Sequence, residues 1–146
     1  VFKRSDYVPG KSFTYTHNKI TDGLGKIGVI LKFFNDSASE EIGKNICMHI
    51  AASSPKSLSE DDLDQGLIEN EKSILKEQLK DSGKPDEIIF KMIDGKIKKF
   101  FEENVLLNQK FVMDPSISIN SYLENSSKES GSEVKIDKFI RYELGE

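Results

Sequence analysis

The stretch KIGVILKFF, Lys26 to Phe34, decides the fold. Ile27, Val29, Ile30, Leu31, Phe33 and Phe34 make it apolar on nearly both faces, as in a central strand covered on at least one side by helices. Gly28 inside it leaves room for a close approach. Upstream, Asp22-Gly23 and Gly25 break the pattern, which predicts a hairpin connection. Before the break, Phe13, Tyr15 and His17 alternate with Thr14 and Thr16, the period of a half-buried strand. The same period returns at the far end of the chain. There Val134, Ile136, Ile140, Tyr142 and Leu144 are expected to share one face, with Lys138 the exception. Two early strands and one late strand predict a three-stranded antiparallel sheet that encloses, in sequence, a helical middle. The predicted class is α+β, with packed helices and a helical hairpin inserted into the core.

The helical signals lie between these strands. Ser37-Ala38-Ser39-Glu40 has the form of a capping box. Ile42, Ile46 and Ile50, joined by Cys47 and His49, then form one apolar stripe that Pro55 ends. A second helix is predicted from about Ser59 to Ser82, with Leu67, Ile68, Ile74, Leu75 and Leu79 as its apolar residues and Gly83 as a left-handed stop. A third opens at Pro85 with Asp86 and Glu87 in its first turn and runs to about Glu103. Its stripe is Ile89, Ile93, Ile97 and Phe100, widened by Met92 and Phe101. Two helices joined by so short a link run antiparallel, which predicts a thin, protruding coiled-coil hairpin. Asp114-Pro115 reads as the start of a short helix carrying Ile119, Tyr122 and Leu123. The polar run Asn125 to Glu133 reads as a loop.

Composition narrows the function classes. A formal net charge of -4 provides no general attraction for phosphate backbones, which argues against a nucleic-acid ligand. The Lys91, Lys96, Lys98 and Lys99 cluster is interrupted by Asp94, Glu102 and Glu103, as on a solvated helix face. With Cys47 as its one cysteine, the chain cannot form an internal disulfide, and two histidines add little toward a zinc site. This usage fits a reducing cytosol. No apolar run approaches the roughly 20 residues that span a bilayer. No phosphate-cradling or nucleophile-elbow motif appears, so the chain reads as non-catalytic and free of cofactors. It begins at Val1 without a signal-peptide pattern, and the expectation is that it has been cut from something longer.

Several literal strings, taken in order, resemble the elongation factor Ts family. A Y-x-H strand is matched by Tyr15-Thr16-His17, and a K/R-I-G-V-L strand by Lys26-Ile27-Gly28-Val29-Ile30. An I-A-M-H-V-A-A helix resembles Ile46-Cys47-Met48-His49-Ile50-Ala51-Ala52 ahead of Pro55. Gly83-Lys84-Pro85, Lys91-Met92 and Asp94-Gly95-Lys96 follow the family's G-K-P turn and the helix after it. Leu106 to Pro115, LLNQKFVMDP, and Phe139 to Glu146, FIRYELGE, complete the series.

The resemblance implies the C-terminal half of the family's core domain with its dimerisation hairpin. It also implies a partner, elongation factor Tu, whose GDP release the complete factor promotes. In the family a T-D-F-V motif N-terminal to this segment presses on the nucleotide domain of Tu; that string is not in this sequence. The half present here resembles the part that grips domain 3 of Tu, where the His of the Y-x-H strand, matching His17, lies in the contact. Tyr15, Met48 and His49 are the other candidate contacts, with core packing the competing role for Met48 and His49. Asn18 to Gly25 is longer than the family's turn, Cys47 stands in place of Ala, and Asn125 to Glu133 is longer than the family's loop. The predicted organisation is a discontinuous core, 10–56 and 110–146, a hairpin insertion, 57–109, and a loose entry segment, 1–9. The hairpin is a candidate homodimer contact. A bacterial cytoplasm, or an organelle of bacterial origin, is the expected setting. A coiled-coil dimerisation or adaptor module without exchange activity is the alternative function.

Overall fold

The computed structural model describes residues 4–146; the first three residues of the entry segment lie outside the described residues. The chain divides into two compact units. One takes in the chain up to Ser54 together with Lys110–Glu146, and the other is Pro55–Gln109.

The first unit is built on strands β1 (Phe13–Thr21), β2 (Leu24–Phe33) and β5 (Ile136–Glu143). They form a three-stranded antiparallel sheet in the order β1-β2-β5, the predicted α+β arrangement. Val29, Leu31 and Phe33 lie in the middle strand and are buried. In antiparallel pairing, opposed residues share a face. Leu31 stands between Phe13 and Phe139, and Val29 between Tyr15 and Arg141. This face is covered by helix α1 (Glu40–Ser53). Gly43 of α1 lies so close to Phe13 that a methyl group there would fall inside the ring.

The last strand departs from its predicted alternation. Phe33 pairs with Ile136 but Lys32 with Lys138, so Asp137 is an extra residue in β5. A bulge of this kind reverses which face later residues occupy. Ile140 and Tyr142 therefore lie opposite Ile30 and Gly28, away from α1, while Phe139 and Arg141 take the α1 side. Ile136 and Ile140 do not share a face as the simple alternation predicts.

Helix α1 starts two residues later than the predicted box. Ser39 is its N-cap and accepts from the Ile42 N–H at 3.2 Å, whereas the Ser37 N–H is taken by Asn35 Oδ1. Ser54 closes it in a left-handed conformation, φ 47°, just before Pro55. After the second unit the chain forms a small ribbon, β3 (Lys110–Phe111) with β4 (Asp114–Ser118), then helix α4 (Ile119–Ser130). Asp114-Pro115 thus opens a strand, not a helix: the Asp114 side chain accepts from Ser116, and the helix cap is Ser118, which accepts from the Ser121 N–H. The predicted loop from Asn125 is helical to Ser130. Ser126 and Ser127 donate to the Tyr122 and Leu123 carbonyls, Ser127 also accepts from the Val134 N–H, and Gly131 provides the left-handed stop.

The second unit holds α2 (Gln65–Lys80) and α3 (Asp86–Asn104). α2 begins later than predicted because Asp64 caps it, accepting from Gly66 N–H at 2.7 Å, while Ser59 and Asp62 bind each other in the turn before. Leu75 and Leu79 pack against Ile93 and Ile97, with Ile89, Met92 and Phe101 at the margins. A second cluster, Leu63, Ile68 and Val105 with Phe100 and Phe101, seals the other end. There the Leu106 N–H donates to Ser57 and the Lys56 N–H to Asn104, tying the two ends of the unit together.

Candidate functional site

The Y-x-H strand is an edge strand of the sheet. Its alternation places Phe13 in the core, Tyr15 half-buried and His17 exposed, three residues on one face graded from inside to outside. The Tyr15 hydroxyl and His17 Nδ1 are 3.0 Å apart, and their rings lie 6.0 Å centroid to centroid. The imidazole is thus steadied from within its own strand while its other edge faces solvent. Beyond His17, Asn18 adopts a left-handed conformation, φ 50°, and the pairing shifts between Lys19 and Thr21. Gly25 makes this geometry available: a Cβ there would sit 2.6 Å from the His17 carbonyl oxygen and 2.5 Å from Thr16 Cγ2. Between the β1 edge and the first turns of α1 runs a groove of about 520 Å³ whose lining includes Phe13, Tyr15, Glu40, Glu41 and Lys44.

The helix candidates divide. Met48 is half-buried on α1. His49 is 0 % exposed, and its Nδ1 accepts from the Val112 N–H at 3.2 Å. An imidazole nitrogen that accepts a backbone N–H is unprotonated there, so His49 holds the β3–β4 turn to α1 as a neutral ring. Phe111 beside it stacks on Tyr122 at 4.4 Å, whose hydroxyl accepts from Asn45. His49 therefore packs inside the fold, in the core role that its place in the α1 stripe allows. Cys47 is buried next to it, and burial pushes the thiol up to about 12, which leaves it protonated and unreactive at neutral pH.

Two charged arrangements escaped the sequence reading. Arg141, brought to the α1 side by the bulge, has a side chain only 9 % exposed; it donates to the Ala51 carbonyl at 3.4 Å and pairs with Glu143 at 2.7 Å and Glu146 at 3.3 Å. On the opposite face Arg4 and Asp6 of the entry segment meet Tyr142. Arg4 lies over the Tyr142 ring, 4.3 Å from its centroid, and Asp6 accepts from the Tyr142 hydroxyl. That hydrogen bond, aided by Arg4, holds the Asp6 carboxyl below the usual carboxylate range. Since both arrangements depend on face assignment in β5, the missed bulge hid them. Among the described residues, no three His, Cys, Asp or Glu side chains gather as a metal site, and no helix is long and apolar enough to cross a membrane.

Comparison with known proteins adds the family. The model described as Elongation factor TS matches residues 1–146. The elongation factor Ts of Bartonella henselae is 46 % identical over 136 residues, covering 91 % of this chain and 44 % of that protein. That of Rickettsia rickettsii (strain Sheila Smith) is 43 % identical over 137 residues, with the same coverage. These matches place the chain among the translation elongation factors. It belongs to the elongation factor Ts family. It spans 44 % of the length of these curated relatives.

Proposed function

We propose that this chain is the elongation factor Tu-docking part of an elongation factor Ts, working as a non-catalytic partner protein in translation. The observation that carries the reading is the exposed His17 ring on an edge strand, steadied by Tyr15, in a chain of this family. Tyr15 supports the contact and Met48 adds apolar surface from α1. A bacterial cytoplasm, or an organelle of bacterial descent, is the compartment this role requires.

Nucleotide exchange needs a partner that binds nucleotide-free Tu more tightly than Tu·GDP, because the weakening is mutual between the two ligands. The docking surface proposed here grips Tu away from its nucleotide, and by itself it has little leverage on that difference. The chain is therefore expected to bind Tu yet release GDP slowly. Release of mant-GDP from Tu, with this chain and with a longer form that carries a T-D-F-V region, measures this directly. A rate with the chain alone equal to that of the longer form contradicts the division of labour.

A second reading draws on a different observation. Leu67, Ile74, Ile88 and Phe90 of the helical unit are exposed by 39 to 60 %, enough apolar surface for self-association. In that case the chain is a dimerising or adaptor module, and sedimentation gives a stable homodimer that is indifferent to Tu.

A further inference from the structure

The hydrogen bond between Tyr15 and His17 settles more than the tilt of the imidazole. The two side chains lie two residues apart on one face of β1. Opposite them on β2 stand Val29 and Ile27, both aliphatic, which offer neither side chain a hydrogen bond. Each polar tip therefore turns to the other, and the Tyr15 hydroxyl meets His17 Nδ1 at 3.0 Å.

The direction of that bond follows from the chemistry of the two groups. A phenol hydroxyl is a good donor, while its oxygen, conjugated with the ring, is a weak acceptor. An unprotonated imidazole nitrogen is a strong acceptor. Donation from the Tyr15 hydroxyl to Nδ1 uses the better group on each side, whereas the reverse arrangement uses the poorer acceptor and leaves the phenol proton to water. In a neutral imidazole one nitrogen accepts and the other carries the hydrogen. With Nδ1 accepting from Tyr15, the hydrogen is on Nε2, the edge that the exposed ring turns to solvent.

We infer that His17 is read by its partner as a hydrogen-bond donor through Nε2, that Tyr15 is the positioning residue that fixes this tautomer, and that the group met is a carbonyl or carboxylate oxygen. The inference rests on the Tu-docking reading above and deepens it, by naming the atom that makes the contact and the chemistry it fits. Tyr15 is half-buried where β1 borders the groove with Glu40, Glu41 and Lys44 of α1, so the ring it holds is oriented before a partner arrives. Little ordering then opposes the contact when it forms.

Two measurements test this. Nitrogen NMR of the labelled imidazole in the chain alone, above about pH 8 where an ordinary imidazole is neutral, reads the tautomer. The wild-type chain is expected to carry the hydrogen on Nε2, and Tyr15→Phe to show a mixture of both tautomers. A hydrogen on Nδ1 in the wild-type chain overturns the inference. Calorimetric titration of Tu then compares replacements of the ring. The amide nitrogen of glutamine reaches the place of Nε2, and that of asparagine only the place of Nδ1. His17→Gln is expected to stay within about threefold of wild type, His17→Asn to weaken about tenfold, like His17→Ala, and Tyr15→Phe to weaken about two- to fivefold, all with unchanged thermal midpoints. A loss in His17→Asn that shrinks with added salt identifies a carboxylate and one that does not a carbonyl; either supports the donor assignment. If His17→Ala weakens binding but His17→Gln and His17→Asn lose equally, the donor assignment falls and the docking reading stands. A Tyr15→Phe chain with wild-type tautomer and affinity overturns the role of Tyr15. If His17→Ala binds as the wild-type chain does, the docking reading itself falls.

Discussion

Helix α1 and helix α3 have similar apolar periodicity in sequence, yet the structure uses them differently. α1 buries Gly43, Ile46, Cys47, His49, Ile50 and Ala51 among its fourteen residues, whereas α3 buries only Ile93 and Ile97 among nineteen. The reason is the number of neighbours. α1 has the sheet on one side and, through His49 with Val112 and Asn45 with Tyr122, the β3–β4 ribbon and α4 on another. α3 meets α2 along a seam that leaves Ile88 and Phe90 exposed. The width of a buried stripe reports how many partners a helix has, and therefore how firmly its surroundings resist change.

The largest effect expected from this contrast is on core truncation. Leu31→Ala, in the middle of the sheet at 0 % exposure, is expected to lower stability by about 3–5 kcal/mol, and Leu75→Ala, in the α2–α3 seam, by about 2–3 kcal/mol. Urea denaturation of the two variants checks the ranking, and equal losses break the comparison. The two helical glycines sharpen it. Gly43→Ala would push a methyl into the Phe13 ring and is expected to destabilise by about 1–3 kcal/mol. Gly95→Ala, in α3 with open space around it, is expected to stabilise by about 0.5–1 kcal/mol. Thermal midpoints that shift in the same direction would show that neighbours matter less than helix propensity at these two sites.

Much of the sheet and of α1 was legible because Phe13 to Phe34 and Ile42 to Ile50 carry strong, unbroken periods. The bulge at Asp137 was not, because it needs one extra residue and no particular residue type. Its consequence was large: it exchanged the faces of Arg141 and Tyr142. Asp114 and Ser118 are both good N-cap types, and only packing decides that the second one caps α4. The serines at 126 and 127 disfavour a helix on propensity, but their hydroxyls bond back to carbonyls four residues earlier, so the helix continues through them. Of the site, the Tyr15–His17 pair was readable as a strand alternation. The burial of His49 was consistent with its place in the Ile42, Ile46 and Ile50 stripe, but its hydrogen bond to the Val112 N–H was not legible, since it depends on where the β3–β4 turn packs.

Two smaller effects test the chemistry of the sheet unit. Cys47, with its thiol pushed up to about 12, is expected to resist alkylation at pH 7 in the native protein and to react promptly in denaturant, as followed by mass spectrometry. Rapid native labelling would mean that α1 opens readily. The entry segment gives the weakest and most pH-dependent effect. Asp6 is held below its ordinary value in the fold, so its contribution is present in full above about pH 4 and is lost as the pH falls through the lower, folded value. In an NMR titration the Tyr142 ring signals should move over that acidic window, and Asp6→Asn should remove the movement.

The docking role proposed for the exposed ring of β1 is open to direct measurement. Titration of Tu with the His17→Ala chain tests it most directly. The variant is expected to keep the wild-type thermal midpoint and to lose at least about tenfold in affinity, the equivalent of about 1.4 kcal/mol. An affinity equal to that of the wild-type chain would contradict it.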